Sequence, residues 1–228
     1  MRLLSRVKAK AEVESAQKRY LELLADVRST SIDRNATKDT LLYLMAVPIV
    51  YSAWEGNFRV VVSICLRRLH DSKLAAGKYD GKALALWFLK SPAYQSFRAK
   101  VLNFGDPFRD DTQREGKGLY EATSEFLSLV SPWLDSALQA PIGGHDKLVM
   151  TFSNVGPRVV KANAGAIDLD LAKVDLGRLN QLVQQRNEIG HGGLFTPPGE
   201  KELGELIGYT SGLIKSFNRA ARSWLQKS

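Results

Sequence analysis

Apolar and polar positions alternate along this chain with the period of a helix almost from its first residue. Leu3, Val7, Ala11, Val13, Ala16, Tyr20, Leu23, Leu24 and Val27 recur at helical spacing among good helix formers, which predicts a first helix ending near Ser29-Thr30-Ser31. A second stripe is stronger. Leu44, Val47, Tyr51, Trp54, Phe58, Val61, Val62, Cys65 and Leu69 keep to one broad face, so a helix is expected from Thr40 to His70, capped by Thr37 or Asp39 and bent at Pro48. Near the C-terminus, Leu203, Leu206, Ile207, Leu213, Ile214, Phe217, Ala220, Ala221, Trp224 and Leu225 follow the same period. They predict a last helix over Lys201 to Gln226, entered through Thr196-Pro197.

Between these stripes the pattern changes. From Asp71 to Gly118 the segments are short, carry several Gly and Pro, and hold more basic than acidic residues. This reads as an insertion with short helices at Lys82 to Leu89, Tyr94 to Phe104 and Tyr120 to Leu138, the last broken by Pro132. Met150 to Ala166 fits either a helix opened by Ser153-Asn154-Val155-Gly156-Pro157 or a short strand, and helix is the reading adopted. Asp175 then caps a helix through Leu176, Leu179, Leu182, Val183 and Ile189 that stops at Gly190-His191-Gly192-Gly193. The three helices Thr40 to His70, Leu176 to Ile189 and Lys201 to Gln226 are expected to pack antiparallel around Trp54, Phe58, Leu179, Leu206, Phe217 and Trp224. Strand alternation and internal repeats are missing, so the fold class is all-α, a helical bundle in one domain over residues 1–228. Its parts are an N-terminal helix within 1–38, core helices in 40–70 and 170–228, and an insertion over 71–166.

Composition narrows the function. Every long apolar stretch is interrupted by charge, and the N-terminus lacks the apolar run of a secretory signal, so no membrane association and a cytoplasmic location are expected. One cysteine, Cys65, and three histidines, His70, His145 and His191, form no cluster at metal-ligand spacing, so neither a metal nor another cofactor is expected. His70 and His145 fall in turn-like stretches and read as surface residues. A formal charge of +8 fits a polyanionic partner.

Two places hold polar residues where periodicity asks for apolar ones. Arg186 lies three residues after Val183 and seven after Leu179, on the apolar stripe of its helix. Asn180, Gln184, Asn187 and His191 form a polar ridge beside that stripe. On an ideal helix Arg186 and His191 stand about 140° apart, so the long Arg side chain, a distortion at Gly190 or a two-fold axis is needed to bring them together. Imidazole suits proton transfer near neutrality; the plainer alternative is an arginine reaching out to a neighbour and a histidine capping the last carbonyls. The second place is Glu55, on the apolar face of the Thr40 to His70 helix, which either pairs with Arg59 one turn on or serves a site. Gly56 beside it lets another backbone come close.

Tyr51-Ser52-Ala53-Trp54-Glu55-Gly56 on an early helix and Leu182-Val183-Gln184-Gln185-Arg186-Asn187-Glu188-Ile189-Gly190-His191-Gly192 before the last helix resemble the HEPN superfamily. They are similar to its MAE-like branch, in which a Y-x-x-W-E-G helix precedes an L-V-x-x-R-N-x-I-x-H-G helix. The resemblance covers Thr40 to His70 and about Ile167 to Leu225. It implies an up-and-down HEPN-type bundle and a homodimer that joins two R-x4-H motifs. The implied activity is metal-independent RNA cleavage in a toxin-antitoxin or phage-defence setting, with a cognate antitoxin or a defence-complex protein as a possible partner. Arg186, Asn187 and His191 match the catalytic positions, and Tyr51, Glu55 and Glu188 stand as supporting residues. Ser52 occupies a position where the family commonly has His, and Gly193 one where some relatives carry Tyr. A non-catalytic HEPN module that binds RNA, a nucleotide or a partner protein through the same residues is the competing expectation.

Overall fold

The computed structural model describes residues 4–33, 40–76, 92–102, 123–130, 148–151, 154–192 and 198–227. The described helices are α1 (Arg6–Arg28), α2 (Thr40–Ala76), α3 (Pro92–Leu102), α4 (residues 123–130), α5 (Pro157–Ala166), α6 (Leu179–Gly190) and α7 (Glu200–Lys227), with no strand among the described residues. The chain forms two compact units, one of residues 1–69 and 145–228 and one of residues 70–144.

Local chemistry explains the helix ends. Ser5 caps α1 by accepting the Lys8 N–H at 3.3 Å, satisfying one of the free donors of a first turn. Past Arg28 the helix widens into a π turn over Ser29–Asp33, where the Ser-Thr-Ser sequence predicted a stop. The candidate caps Thr37 and Asp39, and the predicted entry at Thr196-Pro197, lie outside the described residues, as do Lys82 to Leu89, residues 131–138 and His145. Helix α2 runs through Pro48 and on past His70 to Ala76.

In the first unit, α1 runs antiparallel to α2. Glu12 pairs with Arg67, and Tyr20 lies against Gly56. It runs antiparallel to α7 as well, with Glu14 3.8 Å from Arg222 at one end and Ile32 packed on Gly204 at the other. Helices α2 and α7 therefore point the same way, whereas the sequence reading had them antiparallel. The reason is that α1 is a full member of the bundle, burying Ala9, Val13, Ala16, Leu24 and Val27 between them. Helix α6 packs antiparallel on α7 through Arg178–Glu205 and Gln185–Glu202.

The core is centred on Trp54, Phe58 and Phe217, whose ring centroids lie 5.4 to 5.6 Å apart, a spacing that adds aromatic attraction to burial. Leu179 and Leu206 are fully buried with them, whereas Trp224, predicted for the core, is only half-buried. It lines a cavity beside Lys173 and Arg219. One polar pair interrupts this core: Asn57 and Asn218 exchange reciprocal side-chain hydrogen bonds of 2.9 and 3.0 Å. His70, expected at the surface in a turn, is buried and lies inside α2, which continues past it to Ala76.

Residues 145–166, assigned from sequence to the insertion, belong to the first unit. Asn163 explains part of this. Its side chain accepts the Met150 N–H and donates to the Met150 carbonyl, tying Met150 to α5, which buries Val159, Val160 and Ala164. In the second unit, Phe97 of α3 stacks on Phe126 of α4 at 4.4 Å. Among the described residues no helix is long and apolar enough to cross a membrane.

Candidate functional site

The site is built on one turn of α2. Tyr51 and Trp54, three residues apart and therefore on one face, both reach the extended segment before α5. The Tyr51 hydroxyl accepts the Val155 N–H at 2.7 Å, and the Trp54 indole N–H donates to the Val155 carbonyl at 3.0 Å. Both backbone groups of a buried residue are thus satisfied by side chains, which is what an irregular segment inside a core requires. Sequence periodicity marks Tyr51 and Trp54 as core, which they are. It gives no sign that their polar ends hold a second segment 100 residues away.

That segment delivers Asn154 to Arg186. The Arg186 Nη1 group donates to Asn154 Oδ1 at 3.3 Å and to Asn187 Oδ1 at 3.0 Å, and the guanidinium lies over the Tyr51 ring, 5.4 Å from its centroid. A cation over an aromatic face is attracted by the ring quadrupole, so the arginine found on the apolar stripe of α6 has an apolar surface to rest on and polar partners for one edge. Asn154 is the residue of this site that sequence reasoning missed. Its position among loop residues, with no periodicity to place it, carried no signal.

Glu55 stands on the other side of Tyr51. Of the two readings of Glu55, the ion pair with Arg59 is not formed; the carboxylate interacts with the Tyr51 hydroxyl. Burial first, then the Glu55 charge and hydrogen bond, push the Tyr51 pKa up to about 12 against the opposing effects of Val155 and Arg186. Tyr51 therefore stays protonated at neutral pH and acts as a platform and hydrogen-bonding group, not as a base. Gly56 meets a side chain and not a backbone. A Cβ there would lie 2.7 Å from the Tyr20 ring.

Helix α6 begins at Leu179, three residues later than predicted, because Asp175 accepts the Gly177 N–H at 2.8 Å in a turn of its own instead of capping the helix. It ends at Gly190 with His191 as its C-cap: the His191 N–H donates to the Asn187 carbonyl at 2.9 Å and the Gly192 N–H to the Ile189 carbonyl at 3.2 Å, with Gly192 at φ 67°, a left-handed conformation suited to glycine after a helix. The His191 ring is exposed and makes no hydrogen bond within the described residues. With Asn180, Val183, Gln184, Asn187 and Glu188 it lines a hollow of about 450 Å³, so the polar ridge read from the sequence is a continuous wall. Within it Gln184 donates to Glu188 at 2.8 Å, which makes Glu188 a partner of the ridge. Ser52 is exposed. Asn187 joins the two halves, since it receives Arg186 and also lines the His191 hollow.

Among the described residues no group of three His, Cys, Asp or Glu side chains is placed to hold a metal ion. The donors at the site are guanidinium, amide, phenol and imidazole, a set that binds an anion and transfers protons.

No curated protein sequence and no solved structure matches the chain. A family profile does match, that of RiboL-PSP-HEPN, over residues 12–222. The match takes in both motif helices, α2 and α6, and the segment between them, and the described residues around them form an all-α bundle. The chain belongs to the RiboL-PSP-HEPN family and thereby to the HEPN superfamily.

Proposed function

We propose that this protein is a metal-independent endoribonuclease of the MAE-like HEPN type, acting in the cytoplasm as a toxin or phage-defence effector held in check by an antitoxin or a defence-complex protein. The observation that carries the reading is the junction at Asn187. One amide ties an anchored arginine to a hollow edged by an unengaged histidine.

The chemistry follows from those groups. Neutral His191 takes the proton of an RNA 2′-hydroxyl, O2′ bonds to the adjacent phosphorus, and the P–O5′ bond breaks. The departing O5′ takes a proton from an imidazolium, leaving a 2′,3′-cyclic phosphate and a 5′-hydroxyl. Arg186 uses Nη1 for Asn154 and Asn187 and keeps its remaining N–H groups for the phosphorane charge. Because the nucleophile is the ribose hydroxyl, DNA is not a substrate. With one His191 per chain, the base and the acid come from two copies, whose motifs meet across a two-fold axis.

The test is incubation of purified protein with total RNA in EDTA, beside His191→Ala and an all-2′-deoxy analogue. Wild type should cut RNA to 2′,3′-cyclic ends, and the variant should bind RNA without cutting it. Cleavage by His191→Ala at the wild-type rate would assign the activity elsewhere and leave this motif as a binding module.

A further inference from the structure

A second cavity does not belong to this site. It is a groove of about 570 Å³ between α1 and α2, a size in the range of small-ligand sites. Its floor is Gly56, which lies five residues from Tyr51 and hence about 140° around α2, so the groove opens on another face of the helix. Three arginines line it, Arg19 from α1 and Arg59 and Arg67 from α2, with the hydroxyls of Ser15 and Ser63 beside them.

The charges are unevenly matched. Arg67 is paired with Glu12, the one carboxylate of the groove. Arg19 lies over the Tyr20 ring at 5.7 Å and, like Arg59, has no carboxylate partner among the described residues. Both are exposed. The Arg67 Nε is buried and makes no hydrogen bond, an unmet donor at the wall of the groove. The missing Cβ at Gly56 is what allows the Tyr20 ring to lie flat against α2, where any other residue would displace it. Tyr20 and the half-exposed Val60 give the groove an apolar surface next to its cations.

We infer that this groove is a second anion site, which holds a phosphate-bearing ligand on Arg19 and Arg59 with Ser15 and Ser63, and lays the ligand's flat or apolar part on Tyr20 and Val60. Two guanidinium groups and two hydroxyls across one groove match the acceptors of a phosphate, and an aromatic ring beside them suits a base. The phosphate comes either from a free nucleotide or from a single strand of RNA. The inference concerns binding alone and stands whether or not the chain cleaves RNA.

The experiment uses the full chain carrying His191→Ala, which removes cleavage from the readout. Arg19→Gln/Arg59→Gln and Arg19→Glu/Arg59→Glu are added to it; both positions are exposed, and circular dichroism checks the fold. Calorimetry with AMP and anisotropy with a fluorescent single-stranded RNA 12-mer are the two arms. Loss of saturable AMP binding in the variants assigns a nucleotide. Weakening of the 12-mer on the order of tenfold, with a salt slope lower by about 1.4 because two contacts at about 0.7 each are gone, assigns a strand. Binding of both probes unchanged by the substitutions, or of neither probe by the parent, overturns the proposal.

Discussion

Arg186 lies over the ring of Tyr51 where the chain's two motif helices meet: the guanidinium is 5.4 Å from the ring centroid while the hydroxyl of the same ring holds Val155. One tyrosine thus sets the height of the arginine and the position of the segment that supplies Asn154, its hydrogen-bond partner.

This double role predicts a split outcome. Tyr51→Phe keeps the surface under Arg186 but leaves the buried Val155 N–H without an acceptor, a loss of about 1–3 kcal/mol in stability. Cleavage should fall only a few-fold. Tyr51→Ala should lose both stability and most of the activity. Urea denaturation alongside a cleavage assay separates the two effects; a Tyr51→Phe protein as stable as wild type would contradict the contact.

Arg186→Ala and Arg186→Lys should each slow RNA cleavage by roughly 100-fold or more, since an ammonium cannot replace a planar group that serves two amides and a phosphate at once. Stability should change little. Asn154 and Asn187 are both partly exposed, so water can satisfy the oxygens left behind. Single-turnover rates and melting temperatures check the pair of expectations, and full activity of Arg186→Lys would show that charge alone suffices.

The buried Asn57–Asn218 exchange predicts strong coupling. Either single substitution to Leu strands a buried amide and should cost about 2–3 kcal/mol, whereas the double substitution removes both polar groups and should cost much less than the sum. A double-mutant cycle by chemical denaturation measures the difference. Additive losses would mean the two amides do not depend on each other.

Burial lowers the His70 pKa below its ordinary 6.5, partly offset by Asp71. The folded protein therefore favours neutral imidazole while the unfolded chain takes up the proton first. His70 has no effect on stability well above pH 6.5, and stability falls as pH drops through 6.5 toward the lower folded value. His70→Gln should flatten this part of the profile, measured as unfolding free energy from about pH 7.5 down to about pH 5, a window that contains the ordinary histidine value.

Cys65 is fully buried, and desolvation pushes its thiol up to about 12. It should resist maleimide at pH 8 in the native protein and react promptly in urea, because only the thiolate attacks. Native labelling at the unfolded rate would place the thiol at the surface.

Periodicity revealed the helices that carry a broad apolar stripe, α1, α2 and α7, since a one-sided pattern leaves a helix only one way to be buried. It also isolated Arg186, a cation where the pattern asked for an apolar residue. It could not reveal Asn154 or the clamp on Val155, because those depend on which loop crosses which helix, and backbone hydrogen bonds leave no residue-type signature. The start of α6 was misread for a related reason. Asp175 has the chemistry of a cap, but the same side chain closes a turn two residues on, and the Tyr209 hydroxyl donates to the Asp175 carbonyl within that turn. The direction of α7 relative to α2 rests on the place of α1 between them, a matter of topology and not of pattern.

The two side chains that grip Val155 close a loop of chain by hydrogen bonds alone, with Val155 standing 104 positions after Tyr51. The entropy of closing such a loop grows only with the logarithm of its length, about 0.6 kcal/mol for each doubling, so the clamp is nearly indifferent to how much chain lies between its ends. Residues 70–144 fall inside this loop and fold as their own unit. Lengthening or shortening that stretch would therefore cost little closure entropy while Asn154 returns to the same place beside Arg186, so the clamp uncouples the position of the Asn154 segment from the length of chain that precedes it.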